Sequence, residues 1–148
     1  MPQQRRVAIG VAIVWGVFAT WIYWWLFASV FGALLIASEP PVKALLHNGW
    51  STDQIRPYLN GVLDMVCALF YGFIFGVPLG LVAKRSVIIV WVTFVVAFLV
   101  ALAVRMSLVD SPFENLVSLI YLLTFMATLL FAFVAYRIRS AYANHAAA

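Results

Sequence analysis

The fold is decided by VAIGVAIVWGVFATWIYWWLFASVFGALLIAS, residues 7–38, a run of 32 residues without a formal charge. A helix needs about 20 predominantly apolar residues to cross a bilayer, so this run reads as a first membrane span with residues to spare. A cleaved signal peptide is the competing reading, because Arg5 and Arg6 precede the run and Ala37-Ser38 offers small residues. Signal h-regions are only about 7 to 15 residues long, which favours the span. Within it, Trp21, Tyr23, Trp24 and Trp25 are expected to anchor the far interface, where amphipathic rings prefer to sit.

The rest of the chain repeats this chemistry. Of 148 residues, 66% are hydrophobic and 9% charged, with mean hydropathy +1.06. A water-soluble globule carries roughly a quarter charged residues, so the composition describes a membrane protein. It also argues against disorder and against nucleic-acid binding, which needs basic residues clustered on a solvated face. The length accommodates one membrane domain, residues 1–148, and no separate soluble domain.

Residues 39–56 read as an outer loop with helical pieces. Pro40-Pro41 opens a short run over residues 42–47, Asn48-Gly49 closes it, and Ser51 with Gln54 has the spacing of a capping box. Residues 57–83 form the second span, apolar but for Asn60 and Asp64, with Pro57 near its start, and Lys84-Arg85 ends it. Residues 86–106 form the third; the run is rich in Val, Ile and Phe, yet a lone strand in lipid would leave its backbone groups unsatisfied, so it reads as a helix. Ser111, Pro112 and Glu114 supply N-cap, N1 and N3 for the fourth span, residues 113–136, and residues 137–148 form a tail. The expectation is an all-α integral membrane protein, an antiparallel bundle of four transmembrane helices.

Arg5, Arg6, Lys84, Arg85, Arg137 and Arg139 fall on one side of that topology, and every Asp and Glu falls on the other. The positive-inside rule then places both termini in the cytoplasm of a bacterial plasma (inner) membrane. The halves of the chain differ in loop length and polar content, which speaks against an inverted-repeat transporter.

Asp64 precedes Lys84 by 20 residues and Arg105 follows Arg85 by 20. In an antiparallel hairpin both would stand about 30 Å above the turn. They are therefore expected to pair, either as a structural clasp or as a proton or cation site. Helical phase groups Asp64 with Gly61, Ala68, Gly72, Phe75, Gly76 and Leu79, and Arg105 follows a stripe of Ala97 and Ala101 on which the two helices could approach closely. Gly72, Gly76 and Gly80 make a GxxxGxxxG run, either an intramolecular packing face or a seam for self-association, with a kink expected at Pro78. Ser118, Tyr121, Thr124 and Thr128 share a drifting face of the fourth helix, where hydroxyls would bond their own helix or a neighbour.

One cysteine, Cys67, allows no intramolecular disulfide or thiolate cluster, and His47 and His145 lie outside the spans, so no metal or haem site is expected and no cofactor is implied. Met65 and Met106 read as apolar fillers. The four-span plan with both ends inside is shared by immunity proteins against pore-forming bacteriocins, a likeness of architecture without a residue signature. The composition thus points to a non-enzymatic inner-membrane protein in the lipid bilayer, acting through helix contacts as an accessory, stabilising or inhibitory subunit of another membrane protein. The alternative is a homo-oligomeric transporter or channel using Asp64 and Arg105 at its outer mouth.

Overall fold

The computed structural model describes residues 2–83, 86–108 and 119–145. The Lys84-Arg85 turn, the cap at Ser111, Pro112 and Glu114, and Ser118 lie outside the described residues, as do the side chains of Trp24 and His145.

Four continuous helices account for almost all of it: α1 Pro2–His47, α2 Thr52–Val82, α3 Val87–Leu108 and α4 Leu119–His145. They carry five segments long and apolar enough to cross a membrane, not four. The four-helix bundle expected from sequence is corrected on this point. Helix α1 holds two such segments, Arg6–Tyr23 and Trp25–His47, and the second has no residue buried inside the fold.

The physical reason lies at residues 39–41. The charge-free run stops before Glu39, and Pro40-Pro41 reads as opening a separate short run in the loop, but α1 continues through all three to His47. A proline removes one amide donor and crowds the carbonyl four residues back, a cost of about 3 kcal/mol in a helix interior. Pro40 and Pro41 therefore weaken the ladder locally without ending it, and Lys43 bridges back to Glu39 at 2.6 Å across the site. Both of those side chains are well exposed, so the pair contributes little.

The turn after α1 follows the local sequence. Gly49 takes φ +90, which suits glycine, and the Asn48, Gly49 and Trp50 amides return to carbonyls of the last helical turn. Ser51 then caps α2 with the reciprocal bonds of a capping box: the Gln54 amide donates to the Ser51 hydroxyl at 3.3 Å, and the Ser51 amide donates to Gln54 Oε1 at 2.9 Å. At the other terminus α4 continues to His145, so much of the expected tail is helical.

Helix order in space differs from order in the chain. The most extensive contact joins α2 to α4 and the next joins α1 to α3, while α2 and α3, consecutive in sequence, scarcely touch. They sit diagonally. Gly72, Gly76 and Gly80 of α2 meet Ala127, Thr128 and Ala132 of α4 in ascending register, so this pair is parallel. Gly16 and Thr20 of α1 meet Phe94 and Phe98 of α3 in the same sense. Two parallel small-residue seams are thus joined by antiparallel contacts of α1 with α2 and of α3 with α4.

An indole N–H crosses each antiparallel contact. Trp15 donates to the Phe75 carbonyl at 3.2 Å and Trp91 to the Phe125 carbonyl at 3.1 Å. Between the seams the centre is filled by rings: Tyr23, Tyr71, Phe75, Phe94, Phe98 and Tyr121 are all buried and linked by ring contacts. Large apolar side chains are exposed along all four helices, the surface a bilayer covers.

Candidate functional site

Small residues at four-residue spacing determine how the site is assembled. On α2, Ala68, Gly72, Gly76 and Gly80 are buried, and a Cβ added at Gly76 or Gly80 would fall on the carbonyl oxygen of Thr128 or Ala132. The groove made by the glycines is filled by α4. Of the two readings open for Gly72, Gly76 and Gly80, the structure shows the intramolecular one, since α4 takes the close backbone approach that GxxxG permits. Gly61, placed on the same face from sequence, is exposed with nothing within 4 Å of a would-be Cβ. Helix α2 continues through Pro78 to Val82.

The matching stripe on α1 is Ala8, Ala12, Gly16 and Thr20, all buried. The sequence reading missed it, although the signal was present: four small residues, each four apart. Thr20 is its polar member. Its hydroxyl is shared between the Gly16 carbonyl at 3.0 Å and the Phe98 carbonyl of α3 at 3.1 Å. Ala97 faces this seam, since its Cβ would lie 2.9 Å from a Cβ on Gly16; it serves the α1 contact rather than the expected α2 contact.

Asp64 and Arg105 are not brought together. Arg105 donates from Nη1 to the Thr20 carbonyl at 3.0 Å, and its guanidinium lies 5.8 Å from the Trp21 ring centroid. Asp64 is half-buried on α2 and makes neither an ion pair nor a hydrogen bond among the described residues. Equal height along a hairpin does not produce a pair when the two helices are diagonal neighbours. A helical side chain also leans toward the N-terminal end of its own helix, which carries the Arg105 guanidinium back to the level of Thr20.

The expected aromatic belt divides by helical phase. Trp21 and Trp25, four residues apart, are 62% and 71% exposed, whereas Tyr23 is only 2% exposed. At 100° per residue Tyr23 points away from both tryptophans and enters the central cluster, so it is a core residue and not an interface anchor. Its hydroxyl lies 3.4 Å from Thr124 Oγ1. The α4 hydroxyls behave as the sequence suggests: Thr124 bonds the Ile120 carbonyl and Thr128 the Thr124 carbonyl, both at 2.7 Å. Next to them the Tyr71 hydroxyl is buried and finds no hydrogen-bond partner among the described residues.

Among the described residues no group of three or more His, Cys, Asp or Glu side chains converges as a metal site would require. Cys67 is a buried free thiol, and His47 is exposed in the last turn of α1.

These features define a helical, multi-pass membrane protein. No protein-family model, curated protein or solved structure matches the chain.

Proposed function

We propose that the chain is a non-enzymatic membrane protein that acts by helix contact, as an accessory, stabilising or inhibitory subunit of another membrane protein. The observation that carries this reading is the length of α1 and its end beyond Leu34. At 1.5 Å per residue its 46 residues are about 69 Å long, more than twice the roughly 30 Å hydrocarbon core. A continuous helix cannot turn back, so the two apolar segments of α1 cannot both cross the membrane. The core packs on α1 from Ala8 to Leu34, which leaves the end of the helix, residues 35–47, as an arm beyond it.

That arm carries apolar side chains that no described residue covers. Ile36 is 73% exposed, and Leu35, Leu45 and Leu46 are exposed on the same stretch of helix as the charged pair Glu39 and Lys43, with Trp50 and Tyr58 exposed on the returning chain. Exposed apolar surface supports an interaction site there. With six of the nine Lys and Arg residues assigned by sequence to the opposite side, and every Asp and Glu to this one, the positive-inside rule favours both termini in the cytoplasm of a bacterial plasma membrane and the arm on the outer side. A transporter within one chain fits less well, because the bundle centre is filled by aromatic rings and Arg105 is not paired with Asp64.

Native mass spectrometry of a C-terminally tagged chain, extracted mildly from its own membrane, tests the reading. A stoichiometric foreign membrane subunit is expected, and Ile36→Arg should release it. A homo-oligomer or a bare monomer from wild type would refute the accessory role.

A further inference from the structure

Helices α1 and α3 meet closely on the inside of their seam and diverge on the outside. The divergence leaves an apolar groove of about 620 Å³ on the outward face of the bundle. Val17 and Trp21 of α1 form one wall, Val96, Val100 and Val104 of α3 form the other, and Ala101 lies among the lining residues. The valines and Trp21 that wall it are exposed, so no described residue covers it. Arg105 stands at one end.

From Val92 to Arg105 the groove follows α3 for about 20 Å, slightly more than the roughly 15 Å depth of one leaflet. Its interior is apolar and its head is cationic. A guanidinium has five N–H donors, and the structure uses one Arg105 hydrogen bond, to the Thr20 carbonyl. No carboxylate among the described residues pairs with it. A cation in this position is costly until an anion neutralises it, and the planar guanidinium fork matches two phosphate oxygens.

We propose that this groove binds a phospholipid of net negative charge, with the headgroup phosphate on the free N–H groups of Arg105 and one acyl chain lying along Val96 and Val100 over Ala101. The Trp21 ring holds the guanidinium from the other side, 5.8 Å from its centroid, and keeps its donors turned toward the headgroup. Net charge decides between headgroups. A zwitterionic lipid carries its own ammonium beside the phosphate, which offsets the attraction of Arg105, whereas phosphatidylglycerol does not. The site does not depend on the accessory role of the arm, which lies elsewhere on α1.

The test is native mass spectrometry of the full chain, delipidated in detergent and titrated with phosphatidylglycerol or with phosphatidylcholine of the same acyl chains. Wild type should retain one phosphatidylglycerol in preference to phosphatidylcholine. Arg105→Gln should weaken that retention about tenfold, the scale of one lost charge-assisted hydrogen bond. Ala101→Leu, which narrows the groove and leaves the guanidinium in place, should weaken both lipids alike. Arg137→Gln removes a cation from beside Phe133 on α4 and should change nothing. Equal retention of the two lipids by wild type, undiminished retention by either groove variant, or equal loss in Arg137→Gln would overturn the proposal. So would a second protein chain found on the groove in place of lipid.

Discussion

Replacing glycine by alanine at chosen positions should change stability with opposite signs, and the structure fixes the sign at each. At Gly16 an added Cβ would stand 2.7 Å from the Phe94 carbonyl oxygen and 2.9 Å from Ala97 Cβ. Carbon atoms prefer 3.5 to 4.0 Å, so α3 would have to retreat, stretching the Thr20–Phe98 and Arg105–Thr20 bonds that fasten the same seam. At Gly76 the new atom would fall on the Thr128 carbonyl oxygen with Phe131 Cβ at 3.0 Å, again a backbone obstruction. Overpacking of this kind costs roughly 1–3 kcal/mol, against about 0.5–1 kcal/mol gained by replacing glycine in a helix interior. Gly16→Ala and Gly76→Ala should therefore destabilise, by up to about 2.5 kcal/mol. At Gly61 nothing lies within 4 Å, so Gly61→Ala should keep the helix gain of about 0.5–1 kcal/mol and stabilise. Reversible unfolding in mixed micelles titrated with sodium dodecyl sulfate, followed by circular dichroism, measures all three. If the three variants shift in the same direction, the seams are not where the structure places them.

Tyr71→Phe keeps a buried ring and removes a hydroxyl without a partner among the described residues, so it should stabilise by about 1–3 kcal/mol in the same titration; destabilisation would mean the hydroxyl is hydrogen-bonded. Ser51→Ala removes the cap of α2 and should cost about 0.5–2 kcal/mol, visible as faster amide exchange at Gln54 and Ile55 with little change at the glycine seams. Trp15→Phe deletes an indole donor to the Phe75 carbonyl while preserving a ring, and should cost about 0.5–1.5 kcal/mol. Glu39→Gln removes an exposed i,i+4 ion pair and should move the midpoint by no more than about 0.5 kcal/mol.

Much of this protein is legible in single residues and short spacings. The charge-free run of residues 7–38 establishes a membrane helix, because a single segment satisfies its own backbone in lipid only as a helix. Ser51 with Gln54 specifies a helix start, and Asn48-Gly49 a helix end, through local hydrogen bonds that require no distant partner. The back-bonding of Thr124 and Thr128 is local for the same reason. The small-residue stripe at 68, 72, 76 and 80 is equally visible, and so is the one at 8, 12, 16 and 20 that the sequence reading passed over.

What the sequence by itself could not decide is which helices share a seam. Spacing shows that a face is small, but α1, α3 and α4 were all available to cover the glycines of α2. The tertiary structure chose α4 and left α3 to α1, so Arg105 meets the Thr20 carbonyl and Asp64 stays apart from it. The continuation of α1 through Pro40 and Pro41 was hidden for a related reason. A proline withdraws one donor from the ladder, and whether the helix then ends depends on the many remaining bonds along its length. Chain order and local chemistry determined the helices; the close approach of backbones at glycine and alanine determined their arrangement, and with it the groove, the buried tyrosine and the uncovered arm.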